Sequence, residues 1–377
     1  MDGDRCAGIA RYFNDLEDPR MDRTRRHNLT DMIFIAICAV ICGADGWVQV
    51  ELFGKSKLPW FRTFLDLPHG IPSHDTFGRV FSRLDPDQFE RCFSRWIAAL
   101  ADLKDGRLVA VDGKTLRRSL DRAGSKAAIH MVSAWCQTNQ TVLGQVACEA
   151  KENEITAMPA LLKLLDLRGA VVTADAMHCQ RKFARQIVRA GGDYILQVKD
   201  NQPQLHEDLK LLFAEGLGDD CPHVSFETAE TVNGGHGRIE TRRCRLVHGA
   251  NWLADDWAGI ASVGCVERTR QVGQDVSTER HYYISSLGKA TDAASFLAKT
   301  RGHWGVENGL HWTLDVQFRE DDRRIRRGHG AENFSRLSRI ALNLLKADKT
   351  LKVGIKSKRL NAGWDHDYLL HLLTQGH

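Results

Sequence analysis

The chain lacks an apolar run long enough to cross a bilayer. Its longest, Met32 to Cys42, is eleven residues, whereas a helical span needs roughly 20. It also lacks a secretory signal pattern, because the N-terminus is polar and charged. Ten cysteines are present, yet none forms a CxxC pair or a paired framework. Most sit in apolar runs (Cys38, Cys42, Cys136, Cys148, Cys179, Cys265). That is the usage of buried free thiols in a reducing cytoplasm. Internal repeats and low-complexity tracts are missing too. What remains is 377 residues at 43% hydrophobic and 27% charged, enough for one large or two to three ordinary domains with a substantial core.

Net charge is also small, at +4, but it is unevenly placed. Residues 319–360 carry thirteen Lys and Arg against five Asp and Glu, a local balance of +8 that leaves the remainder at −4. A basic segment in a mildly acidic chain points to a polyanion. Its candidate phosphate contacts are Arg323, Arg324, Arg326 and Arg327. A solvated helix face is the plainer alternative. A second basic cluster, Arg20 to Arg26, lies near the N-terminus.

The most informative stretch is Leu108-Val109-Ala110-Val111-Asp112-Gly113-Lys114. A short run, apolar on both faces, predicts a buried central strand. The aspartate sits where that strand leaves the sheet, beside a glycine that permits close approach. Val171-Val172-Thr173-Ala174-Asp175 repeats the pattern. Carboxylates at the ends of buried strands are costly unless paired or metal-bound. Two on neighbouring strands suit a divalent cation, although each taken alone is also an ordinary strand-end or cap aspartate.

Around these strands the pattern orders itself. Residues 1–100 read as helices: Asp31 to Cys42 with Thr30 as cap, Val48 to Gly54, Trp60 to Leu67, Thr76 to Leu84 capped by Ser73, and Pro86 to Leu100. Three strands follow, Leu108–Val111, Ile129–Cys136 and Val142–Glu149. Asn153 is expected to cap a helix to Leu165. Next come the strand Val171–Ala174, a helix from Arg181 stopped by Gly191-Gly192, the strand Tyr194–Val198 and a helix opened by Pro203. Strand–strand–strand–helix–strand–helix–strand–helix is the order of a ribonuclease H-like mixed α/β sheet. That topology makes the first and fourth strands neighbours. Residues 222–286 alternate polar and apolar and read as a β-rich insertion. A single long helix is expected from Ala293 to about Phe318. Helical spacing puts His303, Glu307 and His311 on one of its faces, either as a possible zinc trio or as a polar stripe. Trp304 and Trp312 are expected to pack against the sheet.

The combination VAVDGKTLRRS (109–119), KENEITAMPALL (151–162), VVTADAMHCQ (171–180), DYILQVKDNQP (193–203) and HWGVENGLHWTLDVQFRED (303–321) resembles the ISAs1 family of bacterial insertion-sequence transposases. That family includes the H-repeat-associated proteins and is related to the IS4 group. RHNLTDMIFIAICAVICGADGW (26–47) and GIPSHDTFGRVFSRLDP (70–86) resemble the family's associated helical domain. The resemblance implies a helical region at 1–100, a ribonuclease H-like catalytic domain at 101–346 containing the insertion, and a basic tail at 347–377. It implies a DDE triad on Asp112, Asp175 and Glu307 that binds Mg²⁺ or Mn²⁺, with Glu320 as the alternative third carboxylate. The substrates would be the element's double-stranded ends and target DNA, with water attack followed by attack of the freed 3′-hydroxyl. The protein would work in the bacterial cytoplasm at the nucleoid, as a homodimer once assembled on DNA. Lys114, His178, Lys199 and His303 are candidate DNA contacts. Counting from Glu307, the Tyr, Arg and Lys of the IS4 signature helix fall on Thr300, His303 and Leu314, so that signature is incomplete here. A nuclease that only hydrolyses, or an inactive DNA-binding relative, is the competing reading.

Overall fold

The structure is a computed structural model describing residues 11–100, 106–120, 127–148, 154–214, 225–235 and 237–374. Helices come first: α1 (Leu29–Ile41), α2 (Trp47–Ser56), α3 (Leu58–Phe61), α4 (His74–Arg83) and α5 (Pro86–Leu100). Then follow β1 (Leu108–Thr115), β2 (His130–Cys136), β3 (Thr141–Cys148), α6 (Glu154–Lys163), β4 (Val171–Ala174), α7 (Arg181–Arg189), β5 (Asp193–Val198) and α8 (Pro203–Leu212). A meander of β6 (Glu227–Gly235), β7 (Arg238–His248), β8 (Ser262–Val272) and β9 (Asp275–Ser285) precedes α9 (Ala293–His303), a π-helical turn (Glu307–His311) and α10 (Trp312–Phe318). The chain closes with α11 (Gly330–Ala347), α12 (Ile355–Trp364) and α13 (His366–Thr374). It divides into two compact units. Met1–Leu103, Gly113–Leu165 and Glu307–His377 form unit one, and Lys104–Asp112 with Asp166–Val306 form unit two.

Unit one is built around α11. This helix is buried along nearly its whole length, polar residues included. Asn333 donates to the carbonyls of Phe81 (2.8 Å) and Leu84 (2.9 Å) at the end of α4. Asn343 both accepts from and donates to Val142 of β3, at 2.9 Å each way. Arg336, fully buried, donates to Glu90 of α5 (2.7 Å) and to Glu332 (2.9 Å), while the second oxygen of Glu90 accepts from the Gln145 amide (2.8 Å). Buried backbone and charged groups need such partners. The α1 helix is apolar on every face, and eleven of its thirteen residues are buried, which explains the eleven-residue run. Its cap is Asn28, whose side chain accepts from the Asp31 amide, rather than Thr30. Ser73 caps α4 as expected. Asn153 lies outside the described residues.

Residues 347–377, expected as a basic tail, instead include two packed helices. Tyr368, Leu369, Leu372 and Leu373 are buried. The Lys358 ammonium donates to the Leu345 and Asp348 carbonyls, and Arg359 donates to those of Val40 and Ile41. Much of the +8 balance is therefore internal, because Arg323, Arg336, Arg339, Lys358 and Arg359 all act as interior hydrogen-bond donors.

Unit two is a mixed sheet with strand order β1-β4-β5-β9-β8-β7-β6. The β1–β4 and β4–β5 pairs are parallel. The meander occupies the span expected as a β-rich insertion. β9 pairs antiparallel with β5, Ile195 opposite Ser285, so the meander extends the same sheet. α9 seats Ala293, Phe296 and Leu297 on a core that includes Leu108, Val171, Ile195, Leu246 and Val266.

The Glu90–Arg336 pair gives a stability test. Arg336→Leu leaves the buried Glu90 without its cation and should cost about 3–5 kcal/mol, whereas Glu90→Leu leaves Arg336 its bond to Glu332 and should cost less. The double replacement should recover most of that loss. Urea unfolding of the three variants measures it.

Candidate active site

The register of β1 on β4 brings the two aspartates together. Val111 pairs with Ala174, the last pair of the ladder, so Asp112, the next residue of β1, and Asp175, the first after β4, follow two adjacent parallel strands at the same level. Asp112 is half-buried, and Asp175 is exposed just before a 3-10 turn, Ala176–His178. That turn is held by the DNQP stretch after β5. The Asn201 amide donates to the Ala176 carbonyl (2.7 Å), and the Gln202 amide to that of Cys179 (2.9 Å). These two positioning residues had no sequence signal beyond their motif.

His303 ends α9 and completes the cluster. Its Nδ1 lies 3.1 Å from Thr173 Oγ1 and its Nε2 lies 3.3 Å from Asp175 Oδ1. Thr173 and Asp175 share a strand face because they are two residues apart. The two ring nitrogens of His303 thus bridge Thr173 and Asp175. The His303 hydrogen bond is the main cause holding the Asp175 carboxyl below the ordinary carboxylate range; burial opposes it, and the charge of His303, Lys199 and His178 adds to it. Asp175 is thus kept ionised. Thr173, Asp175, Gln197, His281, Tyr283 and His303 line a cleft of about 30 Å³. His178 is buried, whereas Lys199 is exposed near Asp175.

The expected continuous helix from Ala293 to Phe318 is interrupted. The π-turn at Glu307–His311 closes i→i+5 bonds, so His303, Glu307 and His311 do not fall on one α-helical stripe. Trp304 and Trp312 are consequently more than half exposed rather than packed on the sheet. The turn is seated by Gly309, where a Cβ would lie 2.8 Å from the Trp135 ring. Glu307 opens the turn and is exposed. Burial, with the charges of Arg339 and Lys114, pushes the His311 imidazole down to about 3. Among the described residues no group of three or more His, Cys, Asp or Glu is gathered to hold a metal ion. The Asp112–Asp175 pair remains a hard oxygen donor set of the kind Mg²⁺ and Mn²⁺ take.

In unit one, the glycine of the VDGK stretch sits against a buried His130–Glu154 pair. A Cβ on Gly113 would collide with both side chains, and Thr115 Oγ1 lies 2.8 Å from His130 Nδ1. Lys114 is not a surface contact. It is buried and ion-paired with Asp315 (2.5 Å), Asp321 (3.1 Å) and Glu320 (3.4 Å). Burial alone would lower its pKa, and the three carboxylates outweigh that and raise it. Glu320, the alternative third carboxylate, is committed to the same cluster, accepting from Arg339 (2.8 Å) and Ser335 (3.0 Å). Arg323 also turns inward, donating to Ser338 (2.7 Å) and the Phe318 carbonyl (2.8 Å) over the Phe334 ring. Arg324, Arg326 and Arg327 are exposed.

Burial alone would raise the Glu320 carboxyl, but Arg339, Lys114 and Arg323 outweigh it and bring it down to about 2, from an ordinary 4.5. A depressed carboxyl stabilises the fold fully above its unfolded pKa and loses that contribution as pH falls through the folded value. The difference in unfolding free energy between wild type and Glu320→Gln should therefore shrink as pH drops from 4.5 to 2. Chemical denaturation across that range checks it.

Residues 103–344 match the family described as Transposase DDE domain, and residues 10–97 match its companion, DDE_Tnp_1-associated. The putative transposase YncI of Escherichia coli O157:H7 is 41% identical over 96% of this chain and 93% of its own length. The H repeat-associated putative transposase YhhI of E. coli K12 is 37% identical over 97% of each chain. With a family match over most of its length and relatives this similar end to end, the chain belongs to the DDE transposases.

Proposed function

We propose that this protein cleaves DNA at the ends of an insertion sequence and joins the freed ends to target DNA. The observation carrying this reading is the pairing of Val111 with Ala174, which delivers Asp112 and Asp175 side by side. Asp112, Asp175 and Glu307 would hold the divalent ions, Mg²⁺ or Mn²⁺. Glu307 takes its place from the order strand-Asp, strand-Asp, helix-Glu of the family it resembles. When bound, such ions supply Lewis-acid stabilisation of attacking and leaving oxygens in an in-line displacement. The chain's own residues set the stage. His303 keeps Asp175 charged and oriented, and Asn201 with Gln202 fixes the turn behind it. Lys199, exposed near Asp175, would meet a phosphate.

The ribonuclease H-like reading of the sheet rests on the β1-β4-β5 order with parallel pairing. The reading of residues 1–100 as the associated helical region rests on their helices and the family match at 10–97. Work on chromosomal DNA places the protein in the cytoplasm at the nucleoid. Joining two ends at one target needs two active sites, and a cyclic dimer is the commonest closed assembly, so a homodimer is the expected form on paired ends.

Asp112→Asn removes a ligand charge while keeping shape. It should abolish nicking of end DNA in Mg²⁺ and leave DNA binding intact, and nicking by the variant at the wild-type rate would sink the assignment. Supplying pre-cleaved ends tests the competing reading: a transposase joins them to a target plasmid, whereas a nuclease does not. Native mass measurement with end DNA should find two protomers on paired ends.

A further inference from the structure

Unit one contains a cavity of about 700 Å³ that the proposed chemistry does not use. One wall is the α1–α2 corner from Asp45 to Gln49, together with His74, Asp75, Gly78 and Arg79 of α4. The other is the stretch from Arg319 to Arg327. Between them sits Trp47, stacked on Phe81 (4.7 Å between ring centres) and edge-on to Phe334 (4.9 Å), so both walls are braced by one aromatic cluster.

The charges are unequal in their commitments. Arg319 is engaged by Asp322 (3.3 Å) and Asp45 (3.6 Å). Among the described residues, no carboxylate lies within ion-pair distance of Arg79, Arg324, Arg326 or Arg327, all four of which are exposed. The stretch 323–326 is non-helical, and its exposure alternates, with Arg323 and Ile325 turned in and Arg324 and Arg326 turned out. Alternate residues on an extended chain lie about 6.6 Å apart, comparable to the spacing of successive phosphates on one DNA strand. Guanidinium groups bind phosphate oxygens in bidentate fashion. Of the acids in the cavity, Asp45 and Asp322 are already spent on Arg319 and Arg118, which leaves Asp75, 3.7 Å from His74 Nε2, as the one facing the groove without an arginine partner among the described residues.

We propose that this groove binds the phosphate backbone of duplex DNA, with Arg79 gripping from one wall and Arg324, Arg326 and Arg327 from the other. The proposal rests on the transposase reading for its ligand and goes beyond it in placing a backbone-binding surface on unit one.

The test uses the full-length protein, a fluorescent duplex of about 40 base pairs and EDTA, so that binding is read without cleavage. Each neutralised phosphate contributes roughly 0.9 to the slope of log K against log salt for duplex DNA. Replacing Arg79, Arg324, Arg326 and Arg327 by Gln should reduce the slope by roughly 0.9 for each phosphate no longer held, up to about 3.6. Asp75→Asn, which leaves all four arginines in place, should tighten binding about two- to fivefold at low salt, the effect of one surface charge. This variant carries the test if the quadruple variant fails to fold by circular dichroism. An unchanged slope in the folded quadruple variant, unchanged affinity in Asp75→Asn, or preference for a single strand of the same length each overturns the proposal. Asp112→Asn keeps the groove intact and should bind with the wild-type slope. Loss of nicking there with no slope change in the arginine variant removes the groove and keeps the transposase reading. Normal nicking by Asp112→Asn removes that reading whatever the slopes show.

Discussion

When two parallel strands are in register, the residues after their last paired positions lie side by side. That constraint governs unit two. β1 and β4 are short, apolar on both faces and locked from Leu108–Val171 to Val111–Ala174. A slip of one residue would turn every side chain over and separate Asp112 from Asp175. The rest of the unit serves this register. Leu108, Val171 and Ile195 carry α9 through Phe296 and Leu297, and α9 in turn delivers His303 to Asp175. The placement of His303 depends on a helix whose hold lies at the opposite end of the strands from the aspartates.

Unit one follows a different logic, because its organising element is polar. α11 enters the interior with two arginines, two asparagines and a glutamate, and each finds a partner on another element or along its own helix. Such an interior gains little net energy from its ion pairs, since desolvation offsets most of the attraction. What it supplies is specificity, because an apolar helix could dock in several rotations, while Asn333, Arg336, Arg339 and Asn343 fit in one.

Much of this was legible in the sequence wherever the signal is local. Two-sided apolar runs marked β1 and β4, Ser73 marked the start of α4, Pro203 opened α8 and Gly191 closed α7. The outcome differs wherever a distant residue decides. The π-turn depends on Gly309 meeting Trp135, far away in sequence, and without it the His303–Glu307–His311 spacing reads as a plain helix. Charge counting found the basic segment but not which arginines face inward, because Arg323 is drawn in by Ser338 and Phe334 from α11. Lys114 followed the same course, claimed by carboxylates some two hundred positions later. The joining of β9 to β5 had no local mark at all.

The pairing of Glu90 with Arg336 spans 246 residues of chain. Ribosomes add roughly 5–20 residues per second, so Glu90 is made roughly 12–50 s before its partner exists. Throughout that interval α5 and the other N-terminal helices have no α11 to close over them, and their apolar faces are left to solvent or to chaperones. Unit one is therefore completed only when the last fifth of the chain arrives.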